Sequence, residues 1–288
     1  SLVASGSRAL RGEMQEVPVE SAVGFNGHVP HSLHYHPDGV HYVYPLGCTV
    51  VVRSLDDPKK QEFLFGHNQD IACLTMSPSG RYMASGTVTH LGFVAEIIVW
   101  DFETRKQVHI FKLHKVNVAY LMFSPSEDLL ASVGGPDDMK LVIWDLAAGK
   151  ALAGTATPGK ETTCCCFYNH DDDKIVTGGK EKITVWDLDR AKRNLVPTPV
   201  NLGQLKRDIT ALLVSAADDH LYCSTASGDV LEVSLRTFLF RHSSPQKKLF
   251  PGGVLSLSAN LEGDLVVGCG DGRVVIMRKG TLRVVKQA

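Results

Sequence analysis

The sequence predicts an all-β protein in which one small unit of about four strands repeats along the chain. Similar apolar segments that contain Trp-Asp recur roughly every 44 residues, as IIVWDF at 97–102, LVIWDL at 141–146 and ITVWDL at 183–188. Shorter apolar runs precede them and are separated by turn sequences such as SPSG at 77–80. No segment shows a sustained apolar period of 3.6 residues, which a helix would require.

The repeats can be counted from the position that Trp occupies near the end of the unit. Trp fills this position in three repeats, whereas Arg, Val and Met replace it in the others. The six repeats end near residues 53, 100, 144, 186, 233 and 277. In each repeat we expect a first strand, a turn, a strand of small residues, a second turn, the apolar third strand and a weaker fourth strand.

A second signature stands ahead of several repeats. Gly27-His28 and Gly66-His67 precede apolar strands, and Leu113-His114 holds the same place. Four short antiparallel strands with Gly-His ahead and Trp-Asp behind resemble WD40 repeats. The resemblance implies a β-propeller, in which each repeat forms one blade around a common axis.

The resemblance also bears on the domain organisation. Seven blades are the commonest number in the WD40 family and six repeats are visible, so we expect a fragment of a longer chain that holds part of a seven-bladed ring. Residues 1–16 are predicted to be a flexible leader and residues 17–288 the propeller. Residues 17–25 are the candidate N-terminal strand that closes the ring.

In WD40 blades a His, a Ser or Thr, an Asp and the Trp form a buried hydrogen-bonded set, and the resemblance transfers this role to matching residues here. The most complete set is His114, Ser132, Asp138 and Trp144. A catalytic role for His114 and Asp138 is disfavoured, because the family pattern explains both. Partial sets are expected at His67, Ser85, Trp100, Thr177, Trp186 and Asp271.

Composition narrows the range of functions. The chain has 30 Lys and Arg against 31 Asp and Glu, so a basic field for bulk nucleic-acid binding is absent. No apolar run approaches the roughly 20 residues of a membrane helix. The seven cysteines lack zinc-finger spacing and are expected to be buried free thiols of an intracellular protein. We therefore expect no metal, cofactor, membrane or nucleic-acid partner.

Two clusters are candidate sites of chemistry. Cys164, Cys165 and Cys166 are expected to pack in the core, because alternate strand residues face opposite sides and cannot converge on one metal ion. The histidines between residues 31 and 41 are interpreted as a solvated turn rather than a metal site. No motif for phosphate binding or hydrolysis occurs, so no catalytic residue and no small-molecule substrate are predicted.

Two departures from the repeat are candidate interaction loops. The insertion at 87–95 carries Leu91 and Phe93, and its alternative is a loop folded back onto the blade. The segment 187–208 joins repeats 4 and 5 and suits an acidic partner, although a solvated connector is the alternative. Its basic residues are Arg190, Lys192, Arg193, Lys206 and Arg207.

Four segments resemble a narrower group: VGFNGHVP at 23–30, YPLGCTVVV at 44–52, SVGGPDD at 132–138 and GQLKR at 203–207. They are similar to the N-terminal propeller of two-propeller WD-repeat proteins of the cilia- and flagella-associated group. The resemblance implies a microtubule inner protein in motile cilia or flagella. Such a protein lies in the B-tubule lumen of axonemal doublets, binds α- and β-tubulin and other luminal proteins, and stabilises the doublet.

Two other classes of function remain open at this point. A generic WD40 adaptor would bind peptides in the cytosol on one face of the propeller. An enzyme would need a ring of carboxylates or histidines near the central channel, and no such set is visible in the sequence.

Overall fold

The computed structural model describes residues 21–25, 27, 29–57, 59–158 and 161–287. Within these ranges the regular structure consists of strands only, and 24 strands form six antiparallel sheets. Each sheet contains four strands that are consecutive in the chain and hydrogen-bonded in chain order. We call the six sheets blades 1 to 6.

The strands of blades 1 to 3 are β1 (His34–Tyr35), β2 (His41–Leu46), β3 (Thr49–Ser54), β4 (Gln61–Leu64), β5 (Ile71–Met76), β6 (Tyr82–Thr87), β7 (Val94–Asp101), β8 (Gln107–Lys115), β9 (Val118–Phe123), β10 (Leu129–Gly134), β11 (Lys140–Asp145) and β12 (Lys150–Ala156). Those of blades 4 to 6 are β13 (Thr162–Phe167), β14 (Lys174–Gly179), β15 (Lys182–Asp189), β16 (Asn194–Pro199), β17 (Ile209–Val214), β18 (His220–Thr225), β19 (Val230–Ser234), β20 (Leu239–Ser244), β21 (Val254–Ala259), β22 (Leu265–Cys269), β23 (Val274–Met277) and β24 (Val284–Gln287).

Apolar clusters hold the blades face to face. One buried cluster fills each of the five interfaces between successive blades. The first strands of successive blades, from β5 to β21, also pack against one another. Six blades therefore surround a common axis with their first strands innermost, which confirms the predicted all-β propeller with six visible repeats.

The third strand of each blade contains the position from which the repeats were counted. Trp100 lies in the interface between blades 1 and 2, Trp144 between blades 2 and 3, and Trp186 between blades 3 and 4. Each tryptophan thus packs against the preceding blade. The ring of Phe111 lies nearly parallel to that of Trp144, with centroids 4.3 Å apart.

The predictions for the N-terminal residues have different outcomes. The leader at 1–16 and the first part of the candidate closing strand lie outside the described residues. Residues 21–25 are described and form no strand, so this part of the prediction was wrong. Blade 6 already has four strands of its own, β21 to β24. The backbone N–H of Ala22 instead donates to Gln61 Oε1 over 2.9 Å.

The cysteine triplet packs in the core as predicted. Cys164 and Cys166 belong to the cluster between blades 4 and 5, whereas Cys165 belongs to the cluster between blades 3 and 4. The three thiols therefore face opposite sides of β13. Burial raises the pKa of Cys164 to about 12, which keeps this thiol protonated and unreactive. Of the seven cysteines, only Cys48 is exposed.

The interpretation of the early histidines as a solvated turn was wrong for two of them. His36 is buried, stacks on Phe102 with centroids 3.7 Å apart, and bonds to the Gly80 carbonyl over 3.1 Å. His34 Nε2 bonds to the Leu74 carbonyl over 2.9 Å. These contacts tie blade 1 to blade 2. Gly80 has a positive φ, and a Cβ at this position would clash with His36 Nε2, so the absence of a side chain leaves room for the imidazole.

Candidate functional site

A connected chain of buried side chains locks blade 3. Asp138 Oδ2 lies 2.6 Å from His114 Nδ1, and His114 Nε2 lies 2.7 Å from Ser132 Oγ. The indole N–H of Trp144 donates to the same Ser132 oxygen over 2.8 Å. Since the carboxylate only accepts, His114 carries its proton on Nδ1 and accepts the Ser132 hydroxyl proton on Nε2. Within this set only Asp138 Oδ1 has no hydrogen bond, and it lies 3.4 Å from Lys140 Nζ.

The order Asp, His, Ser in this set is also that of a hydrolytic triad, but its surroundings differ. Ser132 and His114 have no exposed surface. The serine oxygen already accepts the Trp144 indole proton, so no substrate carbonyl can approach it. Burial lowers the pKa of His114, although the hydrogen bond to Asp138 opposes this shift. The arrangement suits a structural link between strands.

Blade 2 contains a shorter version of the set. His67 Nε2 lies 2.7 Å from Ser85 Oγ, which accepts the Trp100 indole proton over 2.8 Å. No aspartate follows, because the insertion between β6 and β7 replaces the turn that would carry it. The buried Nδ1 of His67 consequently has no hydrogen-bond partner among the described residues. Burial lowers the pKa of His67 to about 4.

The remaining partial sets are smaller. In blade 4 the Trp186 indole donates to Thr177 Oγ1 over 2.8 Å. Asp271 of blade 6 lies at the surface in the β22–β23 turn and pairs with Arg273 at 2.5 Å. The structure therefore brings Thr177 and Trp186 together but places Asp271 outside any buried set.

Blade 5 has a set that the sequence analysis missed. Asp229, in the turn between β18 and β19, is buried and accepts from Arg207 Nε at 3.1 Å through both carboxylate oxygens. Thr225 Oγ1 bonds to the same carboxylate. Arg207 reaches this turn from the connection that precedes β17, in the way that His114 at the end of β8 reaches the corresponding turn of blade 3. The only sequence signal was an arginine in a Gly-His-like position ahead of a TASGD turn.

Backbone hydrogen bonds anchor the insertion between β6 and β7, whereas two apolar side chains at its tip are exposed. Val88 bridges Asn117, and the Thr89 N–H donates to the Val116 carbonyl over 2.6 Å. Leu91 is nevertheless 82% exposed and Phe93 65% exposed. The loop therefore combines the two predicted alternatives. Its backbone folds back onto the blade, while two apolar side chains point to solvent and could contact a partner.

The basic segment 187–208 is not a single loop, which corrects the sequence interpretation. Strand β16 occupies Asn194–Pro199 and separates its two ends by about 20 Å. The basic residues of the β15–β16 turn therefore lie on one face of the propeller and Lys206 and Arg207 on the other. The prolines at 197 and 199 concealed this strand in the sequence.

Most of these basic groups have partners within the chain. Arg190 pairs with Asp173 at 2.5 Å and Lys192 with Asp189 at 3.2 Å. Arg193 donates to the carbonyls of residues 151 and 152. Arg207 binds the buried Asp229. Among the five, only the side chain of Lys206 has neither an ion pair nor a hydrogen bond within the described ranges, so most of the basic side chains are already bound within the chain.

The centre of the propeller contains a cavity of about 720 Å³. Its lining includes Val29, Tyr120, Ile209 and Leu255, with hydroxyl groups and the imidazole of His31. Burial lowers the pKa of His31. No carboxylate lines the cavity in the part of the chain that the structure describes, and these ranges contain no group of three or more metal-ligating side chains. No helix in them has the length and apolar character to cross a bilayer.

Comparison with known families decides what kind of propeller this is. Residues 60–288 match the family described as the first β-propeller of echinoderm microtubule-associated proteins. The chain belongs to this β-propeller family. The predicted WD40-type resemblance is thereby confirmed, and the match covers blades 2 to 6 entirely.

Comparison with individual proteins shows relatives that this chain resembles over much of its length. Cilia- and flagella-associated protein 52 of Chlamydomonas reinhardtii is 43% identical over 261 residues, which cover 91% of this chain and 42% of that protein. The protein of the same name from Sus scrofa is 38% identical over 280 residues, covering 96% of this chain and 45% of that protein. WD repeat-containing protein 90 of Homo sapiens is 28% identical over 225 residues, which cover 74% of this chain and 12% of that protein.

The propeller therefore spans less than half the length of these relatives. The similarity to the cilia- and flagella-associated group, predicted from four short segments, is confirmed by identity along nearly the whole chain.

Proposed function

We propose that this chain is a non-catalytic structural scaffold of motile cilia or flagella. In this proposal it is a microtubule inner protein that binds α- and β-tubulin and neighbouring luminal proteins in the B-tubule of axonemal doublets and stabilises them. The observation that carries the proposal is the 43% identity to a cilia- and flagella-associated protein over 91% of the chain.

The geometry supports a scaffold rather than an enzyme. The side chains that resemble catalytic groups are buried and bonded to one another, as in the set around His114 and Ser132. Apolar clusters between blades give a stiff body. Such a body can carry loops on both faces and contact several partners at once.

The interaction residues proposed from the sequence differ in the support that the structure gives them. Leu91 and Phe93 are exposed apolar side chains on an anchored loop, which suits a docking contact. Arg190, Lys192 and Arg193 already have partners in the same chain. We therefore propose the 88–93 loop as the first contact with the doublet and rank the basic turn second.

A wash of isolated cilia tests the structural role in the full-length protein. A protein built into the doublet lumen should stay with the doublets in high salt, because apolar and enclosed contacts are little screened. A protein held outside by exposed charge pairs should be released. Release, or absence from cilia, would contradict the proposal and favour a soluble peptide-binding adaptor.

A loop variant tests the contact. Leu91→Ser with Phe93→Ser in the full-length protein should lower retention in the axoneme at least several-fold, because the apolar docking surface is lost. Leu261→Ser is the matched control, since Leu261 is fully exposed in the β21–β22 turn on the other face. Equal retention of both variants would exclude the 88–93 loop as a contact.

A further inference from the structure

A groove follows the outer edge of blade 5. It has a volume of about 370 Å³ and lies between three segments: strand β20, the connection from β16 to β17, and residues 245–249. Apolar side chains from all three segments line it, namely Leu205, Phe240, Pro245 and Leu249. Because two connections flank the same edge strand, the groove has side walls as well as a strand to pair with.

The main chain of β20 is open along this groove. β20 pairs with β19 on one side only. Asn201 covers the start of its other edge, through bonds from its N–H to the Phe238 carbonyl and from the Phe240 N–H to its own carbonyl. Beyond this point, residues 241–244 make no main-chain hydrogen bond outside β19 within the described ranges. Alternate N–H and C=O groups therefore face the groove without a partner.

Three lysines at the rim of the groove directly adjoin lining residues in the chain: Lys206 lies between residues 205 and 207, and Lys247 and Lys248 lie between residues 246 and 249. Lys206, Lys247 and Lys248 are exposed and have no ion pair in the part of the chain that the structure describes. Two arginines that line the groove are instead already paired, Arg207 with Asp229 and Arg241 with Glu232. The three lysines are consequently available to an acidic ligand.

We propose that this groove binds an extended polypeptide segment of alternating acidic and apolar residues, which adds to β20 as a fifth strand. Strand addition would satisfy the open main-chain groups of residues 241–244. In an extended strand alternate side chains face opposite ways, so apolar side chains would meet Leu205 and Leu249 while carboxylates meet the lysines. The inference does not rest on the proposed scaffold role, because it concerns one groove and one ligand chemistry.

Fluorescence anisotropy with the purified 288-residue chain tests the proposal. The probe is a labelled nine-residue peptide that alternates Glu and Val. We expect saturable binding that weakens as salt is added. The variant Lys206→Glu with Lys247→Glu and Lys248→Glu should weaken binding roughly tenfold or more. Unchanged binding by this variant, with its melting temperature retained, would overturn the proposal.

Two controls separate strand addition from simple charge attraction. Lys59→Glu with Lys60→Glu and Lys106→Glu makes the same charge change in turns at the opposite end of blades 1 and 2, and should leave binding within about twofold. The same peptide methylated on alternate backbone nitrogens should bind at least roughly tenfold more weakly, because it cannot pair with β20. Equal binding of the methylated peptide, or of a single-stranded oligonucleotide, would show a nonspecific cationic patch and overturn the proposal.

Discussion

At the scale of single residues, one hydroxyl oxygen in each of the buried sets of blades 2 and 3 joins side chains from two or more strands. Ser132 on β10 accepts from Trp144 on β11 and bonds to His114 at the end of β8. Ser85 does the same for Trp100 and His67. Removing this oxygen leaves the buried indole N–H and the Nε2 atom of the buried imidazole without a partner.

Ser132→Ala should therefore destabilise the chain by about 3 kcal/mol, since each unsatisfied buried polar group costs about 1–3 kcal/mol. Urea denaturation followed by far-UV circular dichroism measures the loss. Ser227→Ala is the control, because Ser227 is exposed, and should change the free energy of unfolding by less than about 0.5 kcal/mol. Equal effects of the two substitutions would show that the hydrogen bonds of Ser132 contribute nothing to stability.

The depressed pKa of His67 makes stability depend on pH. Its folded pKa of about 4 lies below the ordinary value of 6.5, so the unfolded chain takes up a proton that the folded chain refuses. Stability should fall as the pH drops from about 6.5 towards 4, by at most ~1.4 kcal/mol per pH unit for this group. His114 contributes in the same direction.

Unfolding free energies measured from pH 7 to 4.5 test this dependence. His67→Gln should reduce the slope of the unfolding free energy against pH by nearly the amount that one bound proton contributes. His90→Gln, which changes an exposed loop residue, should leave the slope of the wild type. If His67→Gln and the wild type share one slope, His67 titrates normally in the folded chain.

At the scale of elements, the connection between β16 and β17 reaches into the next blade. Arg207 carries one charge of a pair whose other member, Asp229, is only 1% exposed. Its neighbour Lys206 points to solvent. The two adjacent cations thus have different roles: one anchors the connection and the other faces the groove rim.

Arg207→Ala should cost about 3 kcal/mol or more, because it leaves the Asp229 carboxylate buried and unpaired. Lys206→Ala should be nearly neutral, as expected for an exposed lysine without an ion pair. Thermal melting of the two variants provides the comparison. Similar melting temperatures would mean that water reaches Asp229 and that the pair is not structural.

The accuracy of sequence-based prediction differs between elements for physical reasons. The Trp-Asp strands were predictable because local alternation and spacing specify them, as at Trp144. The Arg207–Asp229 pair was not predictable, because it joins two turns 22 residues apart and uses an arginine where the family pattern has histidine. The burial of His36 depends on Phe102 and Gly80 of another blade, so no local pattern reveals it.

At the scale of the whole molecule, each blade is stabilised mainly by its neighbours. The five apolar clusters join successive blades, and none joins blade 6 to blade 1 in the described residues. Blades 1 and 6 are therefore each packed on one side. Val274 lies on the side of β23 opposite to the buried Val275 and is 46% exposed.

Amide hydrogen exchange of this chain should reveal a gradient of local stability. Amides of β14 and β15, packed between two blades, should exchange most slowly. Amides of β22 and β23 should exchange faster, because their blade can open while breaking only one interface. Uniform protection across all six blades would indicate a single cooperative unit instead.

The positions of the tryptophans determine what intrinsic fluorescence can report. Trp100, Trp144 and Trp186 occupy the first three interfaces, and the chain has no other tryptophan. Tryptophan fluorescence therefore does not report the opening of blades 5 and 6. An unfolding curve recorded by fluorescence will lag behind one recorded by circular dichroism whenever the C-terminal blades separate first. The offset between the two midpoints is then a direct optical measure of how independently that half of the ring opens.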